Sequence, residues 1–243
     1  MGYGLHNIMG VRAMGIKKSV RGIPIIGNMA AYLYSRLPRR YPGSQLYWEQ
    51  RYMSGGDSGA GSKGRLARFK ADVVNTFVRE NSVESIIEFG CGDGSQLNLS
   101  AYPKYIGLDV SITAIKLSKA KFAHDKSKSF FLYDSLCFVD NNNIFQADLT
   151  LSLDVIYHLI EDNIFHEYMK ALFRSSTRYV IIYSSNWDAR QSFHQKPRQF
   201  TEWIKQYAWD WQLAQKIDNI YAYESSNPLD TSHSDFYIYR KVT

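Results

Sequence analysis

The stretch "SVESIIEFGCGDGSQ", Ser82–Gln96, joins an apolar run to a turn that contains three glycines. The apolar half has the length of a buried strand, and Gly90, Gly92 and Gly94 follow it directly. Ligands of an open parallel sheet bind beyond the carboxyl ends of its strands, where glycines let backbone N–H groups approach them closely. A helix that follows such a turn favours an anionic group at its N-terminus. The stretch therefore predicts a ligand site at the end of a first strand.

The chain after this turn alternates strand patterns with amphipathic helix patterns. Strands are predicted at 105–110, 129–135, 147–158 and 178–185, and helices at 111–125, 161–176 and 197–209. This alternation predicts an α/β fold with a parallel sheet that is covered by helices on both faces. Two further strand patterns, at 211–223 and 234–242, predict a hairpin added to the edge of the sheet.

Before the turn, two helix patterns flank a glycine- and serine-rich loop, which we call the Gly-Ser segment, Ser54–Gly64. The first pattern places Tyr47, Trp48 and Tyr52 at helical spacing. The second, at 65–81, repeats apolar residues at 66, 69, 73 and 77 on one face. These patterns predict two helices joined by a loop with high backbone freedom.

Composition favours one domain with a basic extension. A chain of 243 residues with 45% hydrophobic residues can bury one sizeable core. The net charge of +6 is concentrated at the start, where seven Arg and Lys residues precede the first acid, Glu49. We predict an N-terminal extension at 1–46 and a domain at 47–243. The extension is expected to contact anionic lipid, a protein partner or an anionic substrate, with a partly disordered tail as the alternative.

Cysteine usage and hydropathy indicate the compartment. Cys91 and Cys137 are too few for a disulfide framework, and no Cys or His cluster has zinc-ligand spacing, so no metal site is predicted. The apolar N-terminal segments fall short of the roughly 20 residues that a membrane span needs. We expect a cytoplasmic protein, with peripheral contact at the inner membrane surface through the extension as an option.

The spacing of glycines and acids discriminates between two cofactor classes. A dinucleotide site prefers G-x-G-x-x-G, whereas "EFGCGDG" places Glu88 two residues before Gly90 and a third glycine at 94, which favours S-adenosylmethionine. Asp109 ends the second predicted strand, where its carboxylate can accept both ribose hydroxyls. Asp134 ends the third and is placed to receive the adenine amino group. Each acid alone could instead cap a helix or a turn.

The motifs "IIEFGCGDGSQ", "YIGLDVS", "FFLYDS" and "DLTLSLDVIYHL", in this order, resemble the class I S-adenosylmethionine-dependent methyltransferases. The resemblance covers roughly 47–243 and implies a Rossmann-like, seven-stranded, mostly parallel sheet with an antiparallel last strand. It implies S-adenosylmethionine as the cofactor. The cofactor-binding residues that it implies are Glu88, Phe89, Gly90, Cys91, Gly92, Gly94, Gln96, Asp109, Val110, Asp134, Ser135, Asp154 and Tyr157.

The segment "YWEQRYMSGGDSGAGSKGRLARFKA", at 47–71, resembles the N-terminal part of bacterial methyltransferases associated with surface-polysaccharide and glycan biosynthesis. This likeness implies that the Gly-Ser segment folds over the cofactor, with Arg51 or Tyr47 near the methionine carboxylate. The alternative is a plain mobile loop.

The end of the fourth predicted strand offers catalytic candidates. His158 is the first candidate for a general base, because its ordinary pKa lies near neutrality. It could equally brace the turn through a local hydrogen bond. Asp154 could orient His158 or bind the substrate. His194 is the second candidate base, and Asn186, Trp187 and Arg198 are the candidate substrate contacts.

The sequence lacks an Asn/Asp-Pro-Pro-Tyr/Phe signature at this strand end, which argues against methylation of exocyclic amines and leaves hydroxyl acceptors open. The main expectation is O-methylation of a sugar, a glycan end or another small hydroxylated acceptor, without nucleic acid as a partner. Two alternatives stay open: an RNA or protein methyltransferase, and a non-catalytic S-adenosylmethionine-binding subunit.

Overall fold

A computed structural model describes residues 41–242. The expectations for most of the basic extension, at 1–40, lie outside the described residues. Within them, no helix is both long enough and apolar enough to cross a membrane.

The strands form a single sheet of seven. Their bounds are β1 Ser85–Phe89, β2 Lys104–Asp109, β3 Lys128–Leu132, β4 Ala147–Leu153, β5 Ser176–Ser184, β6 Trp211–Ile217 and β7 Asp235–Lys241. The order across the sheet is β3-β2-β1-β4-β5-β7-β6. The pairs from β3 to β5 are parallel, and β7 lies antiparallel between β5 and β6. The predicted mostly parallel sheet with an antiparallel last strand is therefore confirmed.

Five α-helices accompany the sheet in the described part of the chain. They are α1 Ser44–Met53, α2 Gly64–Glu80, α3 Ile112–Lys121, α4 Asp162–Arg174 and α5 Phe200–Tyr207. Single 3-10 turns occupy Ala60–Ser62, Leu97–Leu99 and Ile156–His158. The predicted strand at 147–158 is shorter than expected: β4 ends at Leu153, and His158 lies in the turn that follows.

Apolar side chains cover both faces of the sheet. Ile86 and Ile87 are successive residues of β1 and point to opposite faces, as strand geometry requires. Ile87 packs in the cluster that contains Met169 of α4 and Phe200 of α5. Ile86 packs in the cluster that contains Val74 of α2. Helices on both faces are therefore confirmed.

The buried face of α2 differs from the predicted stripe. Leu66 and Phe69 are buried as expected, but the face continues through Val74 and Val78, whereas positions 73 and 77 are only partly buried. Lys70 lies on this face and is 1% exposed. A stripe of apolar positions alone does not predict a buried cation.

Candidate active site

The glycine turn after β1 is folded so tightly that side chains would not fit. Gly90 and Gly92 have φ angles of 84° and 59°, in the left-handed region. A Cβ atom at Gly90 would lie 2.4 Å from Cγ2 of Val155, and one at Gly92 would lie 2.4 Å from Oγ of Ser58. The bare backbone of this turn is therefore required by its neighbours as well as by its conformation.

Asp109, the last residue of β2, ties this turn to the next strand. Its Oδ2 accepts a hydrogen bond from the backbone N–H of Gly92 and its Oδ1 accepts one from that of Ser111, both at 2.8 Å. Burial raises the pKa of this carboxyl to about 6. A carboxylate oxygen has two lone pairs, so each oxygen can still accept one ligand hydroxyl.

Glu88 is buried in the middle of the sheet, where β1 pairs with β2 and β4. Its Oε2 accepts a hydrogen bond of 2.7 Å from the hydroxyl of Tyr105. Burial raises the pKa of Glu88 to about 7, against the opposing effects of Tyr105 and Lys70. The Glu88 carboxyl therefore changes protonation near neutral pH.

The segment after β3 contributes Tyr133, Asp134 and Ser135. β3 ends at Leu132, so Asp134 lies two residues beyond the strand. Its Oδ1 accepts a hydrogen bond of 2.9 Å from the backbone N–H of Leu136. The buried hydroxyl of Tyr133 has no hydrogen-bond partner among the described residues.

These residues line one cavity, which we call the strand-end cleft. Trp48 and Tyr52 of α1 and Ser58 and Ser62 of the Gly-Ser segment form its other side. The sequence-predicted residues along it are Glu88, Gly90, Cys91, Gly92, Gln96, Asp109, Val110, Asp134, Ser135, Asp154 and His158. Phe89, Gly94, Tyr157 and Arg51 do not line it. The structure thus brings most of the predicted cofactor residues together at the carboxyl ends of β1, β2 and β3.

Cys91 sits in the glycine turn with its side chain buried. Burial raises the pKa of this thiol well above its ordinary value. A protonated buried thiol is inert, so Cys91 acts here as a small packing residue.

Helix α1 and the Gly-Ser segment are held against the cleft by polar contacts. Glu49 of α1 accepts hydrogen bonds from Oγ of Ser111 at 2.6 Å and from Oγ1 of Thr113 at 2.7 Å, at the start of α3. In the Gly-Ser segment, Oγ of Ser58 donates to Oδ1 of Asp93 at 3.0 Å and lies 2.9 Å from the hydroxyl of Tyr52. The segment therefore lies directly on the glycine turn.

Asp154 follows β4 in the left-handed region, with φ of 60°. Its Oδ2 accepts a hydrogen bond of 2.6 Å from Nζ of Lys70. Its Oδ1 accepts hydrogen bonds from the hydroxyls of Tyr157 at 3.0 Å and Ser234 at 3.1 Å. Both oxygens of Asp154 are thus engaged, and neither is bonded to the His158 ring, so Asp154 does not orient this histidine.

The ring of His158 is fixed by its neighbours. Its Nδ1 lies 2.9 Å from the carbonyl oxygen of His194. A carbonyl oxygen only accepts, so Nδ1 carries the proton and Nε2 keeps a lone pair. The ring stacks on His194 with centroids 5.4 Å apart and meets the edge of Trp48 at 4.9 Å. Burial lowers the pKa of His158 to about 4, which keeps the ring neutral at neutral pH. Bracing through Nδ1 and proton acceptance at Nε2 are therefore compatible.

A second cavity, which we call the loop cavity, shares Trp48, Ser58, Asp154 and His158 with the strand-end cleft. Its remaining walls come from the Gly-Ser segment, the loop after β5 and the loop between β6 and β7. The predicted residues Arg51, Tyr157, Trp187 and His194 line it. His158 thus stands where the two cavities meet.

Three predicted substrate or cofactor contacts are placed differently from expectation. Arg198 is buried; its guanidinium donates to the carbonyl oxygens of Leu159 and Ile160 and pairs with Asp162, so it braces the loop before α4 and does not line the loop cavity. Asn186 accepts a hydrogen bond from the backbone N–H of Thr201 and holds the start of α5. Arg51 donates to the carbonyl oxygen of Asp57 at 2.6 Å and faces the loop cavity.

Sequence reasoning missed two features of these cavities. Tyr223 and His233, from the loop between β6 and β7, stack at 3.8 Å in the loop cavity, and Trp187 meets His233 edge-on at 5.2 Å. The pattern at 211–223 predicted a strand, but β6 ends at Ile217, and the Asn-Pro pair at 227–228 was the signal for a longer loop. The second missed feature is Lys70, which lines the strand-end cleft.

Within 41–242, no group of three or more His, Cys, Asp or Glu side chains is placed to hold a metal ion.

No family model matches the chain. The chain is 28% identical over 135 residues to a small RNA 2′-O-methyltransferase of Arabidopsis thaliana, covering 51% of this chain and 14% of that relative. The chain therefore spans a small part of the length of the curated relative that it matches.

Solved structures match over more of the chain. N-methyltransferase NodS of Bradyrhizobium japonicum, in complex with S-adenosyl-L-homocysteine, matches with a TM-score of 0.64 and 14% identity over 82% of this chain and 98% of that chain. The methyltransferase domain of bacterial CtHen1-C matches with a TM-score of 0.57 and 18% identity over 74% and 100%. Magnesium protoporphyrin IX methyltransferase of Synechocystis, with bound S-adenosylmethionine, matches with a TM-score of 0.56 and 15% identity over 83% and 92%.

The fold is that of the class I methyltransferases. Two of these neighbours hold S-adenosyl-L-homocysteine or S-adenosylmethionine in their structures. In this class I methyltransferase fold, the strand-end cleft lies where the strand order turns at β1, which is the switch point at which open α/β sheets bind ligands.

Proposed function

We propose that this protein is an S-adenosylmethionine-dependent methyltransferase that methylates a hydroxyl oxygen of a sugar, a glycan end or a related small acceptor. One observation carries the proposal: the strand-end cleft and the loop cavity meet at His158, whose neutral ring lines both. In this arrangement the cofactor would bind in the strand-end cleft and the acceptor in the loop cavity, with a proton acceptor between them.

The strand-end cleft fits the proposed cofactor. Asp109 would accept the ribose hydroxyls, and Asp134 with Ser135 would receive the adenine amino group. Two buried polar atoms without partners among the described residues, Oε1 of Gln96 and the hydroxyl of Tyr133, belong to residues that line the cleft and fit a polar ligand. When bound, S-adenosylmethionine supplies an electrophilic methyl group on a sulfonium.

The chain's own residues would align and deprotonate the acceptor. Transfer of a methyl group is an in-line displacement, so the enzyme gains rate by positioning the acceptor and by excluding water. Trp48 lines both cavities, and Tyr52 lines the strand-end cleft beside it. Nε2 of His158 would take the proton of the acceptor hydroxyl as charge develops on oxygen. The engaged carboxylate of Asp154 would position Tyr157 and Lys70.

An oxygen acceptor is favoured by the base and by the curated relative. A hydroxyl is a weak nucleophile while protonated, and His158 offers a neutral proton acceptor at this place. The curated relative is a 2′-O-methyltransferase, which acts on a hydroxyl oxygen. An association with surface-polysaccharide or glycan synthesis belongs to this proposal and rests on the N-terminal sequence likeness alone.

Methylation of a ribose 2′-hydroxyl of RNA is the second candidate. It is favoured by the small RNA 2′-O-methyltransferase relative and by the stacked rings of Tyr223 and His233 in the loop cavity, which offer aromatic faces to a base. The same faces also suit a sugar ring.

Calorimetry with S-adenosylmethionine and S-adenosylhomocysteine tests the cofactor. The wild type should bind both ligands. Asp109→Ala should abolish binding because it removes the carboxylate that receives the ribose. The matched control is Asp72→Ala, which removes an exposed carboxylate of α2 and should bind like the wild type. Binding of NADH instead, with Asp109→Ala unaffected, would overturn the proposal.

Transfer of a labelled methyl group tests the acceptor. Glycans and small hydroxylated sugars form one panel, and RNA oligonucleotides with a terminal ribose or a terminal 2′-deoxyribose form the other. Labelling of the first panel supports the main proposal. Labelling of the ribose but not the deoxyribose oligonucleotides establishes the second candidate, and cofactor binding with no labelled acceptor would indicate a non-catalytic subunit.

A further inference from the structure

Lys70 is a cation inside the strand-end cleft. Helix α2 presents it on the buried face, with a side chain that is 1% exposed. Its Nζ lies 2.6 Å from Oδ2 of Asp154 and 5.4 Å from the ring centroid of Tyr183. A buried ammonium is costly unless its charge and its hydrogen bonds are satisfied. Lys70 therefore needs an explanation beyond packing.

The hydrogen bonds of Lys70 are incomplete in the protein alone. A lysine ammonium has three N–H donors. Among the described residues, Asp154 is its hydrogen-bond acceptor, and Glu88 lies near enough to be affected by its charge. Donors that remain at the wall of a cleft suit an anionic ligand group.

Gln96 has a buried hydrogen-bond acceptor without a partner in the described part of the chain. Its Nε2 donates to the carbonyl oxygen of Ala67 at 2.9 Å, whereas its buried Oε1 has no partner among the described residues. Ala67 and Lys70 are three positions apart on α2, so their side chains lie on the same face of the helix. Gln96 and Lys70 also line the same cleft. A spare acceptor and a spare cationic donor therefore border one region.

We infer that Lys70 and Gln96 hold the amino-acid end of the cofactor, with Lys70 on its carboxylate and Oε1 of Gln96 on its ammonium. The inference rests on the proposed function. The amino-acid end is a zwitterion, so its arrival adds no net charge to the buried group of Lys70, Asp154 and Glu88. It supplies an acceptor to Lys70 and a donor to Gln96.

This assignment replaces the sequence-based expectation for Arg51. The guanidinium of Arg51 is engaged by Asp57, through a hydrogen bond of 2.6 Å to its carbonyl oxygen and an ion pair of 3.6 Å with its carboxylate. Arg51 lines the loop cavity and not the strand-end cleft. Lys70 lines the strand-end cleft together with Gly90 and Gly92 of the glycine turn.

Two ligands that differ only in the amino-acid end give the test. S-adenosylhomocysteine carries this end, and 5′-methylthioadenosine lacks it but keeps the adenosine and the thioether. Calorimetry measures the ratio of their dissociation constants. In Lys70→Met, S-adenosylhomocysteine should bind about 10- to 100-fold more weakly, as expected for loss of a charge-assisted hydrogen bond, and 5′-methylthioadenosine should bind as to the wild type within about threefold. Gln96→Met should likewise weaken the binding of S-adenosylhomocysteine relative to that of 5′-methylthioadenosine.

Two controls accompany this measurement. Arg51→Met should leave the ratio unchanged, and so should Lys116→Met, which removes an exposed lysine of α3. Lys70→Met leaves the Asp154 carboxylate without its cation, so the double variant Lys70→Met/Asp154→Asn is measured in parallel, with circular dichroism to establish folding.

The outcomes separate the inference from the proposed function. Two results would overturn the inference while S-adenosylhomocysteine still binds the wild type. One is a folded Lys70→Met variant whose two dissociation constants keep the wild-type ratio. The other is an Arg51→Met variant in which S-adenosylhomocysteine, but not 5′-methylthioadenosine, binds more weakly. Failure of the wild type to bind any of these nucleosides would overturn the proposed function and this inference with it.

Discussion

The strand-end cleft and the loop cavity are built in different ways. The cleft takes its carboxylates from residues near the ends of paired strands, such as Glu88 and Asp109, whose places are fixed by the register of the sheet. The loop cavity takes Trp187, Tyr223 and His233 from two long loops. Sheet geometry thus determines the proposed cofactor side, and loop geometry determines the proposed acceptor side.

The largest effect is expected at His158, where the two cavities meet. Asn at this position keeps an N–H near Nδ1, and Gln reaches the place of Nε2. If Nε2 takes the proton, both His158→Asn and His158→Gln should lower kcat by about 10²- to 10⁴-fold, while the dissociation constant of S-adenosylmethionine changes little. Steady-state kinetics and calorimetry measure the two quantities.

A pure bracing role gives a different pattern, because His158→Asn would then retain activity and only His158→Gln would lose it. His124→Gln, at an exposed histidine after α3, is the control and should behave like the wild type.

The next effect should be confined to the strand-end cleft. Gly92 and Gly55 both have positive φ angles, 59° and 80°, but an added Cβ meets Oγ of Ser58 at 2.4 Å in the first case and nothing within 4 Å in the second. Both Ala variants should lose about 1–2 kcal/mol of stability through the left-handed backbone. Gly92→Ala alone should also weaken binding of S-adenosylhomocysteine by about tenfold or more. The added methyl group overpacks the contact between the turn and Ser58, which costs about 1–3 kcal/mol, and the turn lines the cleft.

Equal dissociation constants in the two glycine variants, measured by calorimetry, would show that the Gly-Ser segment is not in contact with the turn in solution.

A smaller effect concerns stability against pH. Burial depresses the pKa of His158 to about 4 in the folded state, below its usual value, so the unfolded chain takes up this proton first as the pH falls. The stabilisation from the neutral ring is therefore present above about pH 6.5 and is lost as the pH falls towards 4. We expect a loss of about 1–3 kcal/mol in the free energy of unfolding over this window.

Urea unfolding of the wild type and of His158→Asn at several pH values measures this loss. The variant should lack the loss that is due to His158. The raised pKa of Glu88 affects the free energy of unfolding of both proteins alike, so its contribution cancels when the two are subtracted. Parallel curves for the two proteins would contradict a buried neutral ring.

The smallest effect should be confined to the loop cavity. Trp187 is 41% exposed and offers an aromatic face beside His233. Trp187→Ala should raise KM for the acceptor by about fivefold, or about 1 kcal/mol, and leave the dissociation constant of S-adenosylhomocysteine unchanged. Trp209→Ala is the control, since Trp209 is 85% exposed and lines neither cavity. A change in cofactor binding in Trp187→Ala would break the distinction between the cavities.

The two regions also show what the sequence could predict. Asp109 and the glycine turn were predictable because strand length and the following turn fix their places in a parallel sheet. Lys70 was not, because the apolar positions of α2 locate its buried face only to within one residue and do not show that a cation shares it. Arg198 was assigned to a substrate on its charge, yet its donors meet backbone carbonyls that only folding brings near.

The hydrogen bonds of Ser58 have a consequence for turnover. Through Ser58, the Gly-Ser segment rests on the glycine turn and also forms part of the wall that both cavities share. Movement of the Gly-Ser segment away from the turn would open the strand-end cleft and the loop cavity together. For the proposed reaction, we therefore expect one conformational change to control the release of both the demethylated nucleoside and the methylated product.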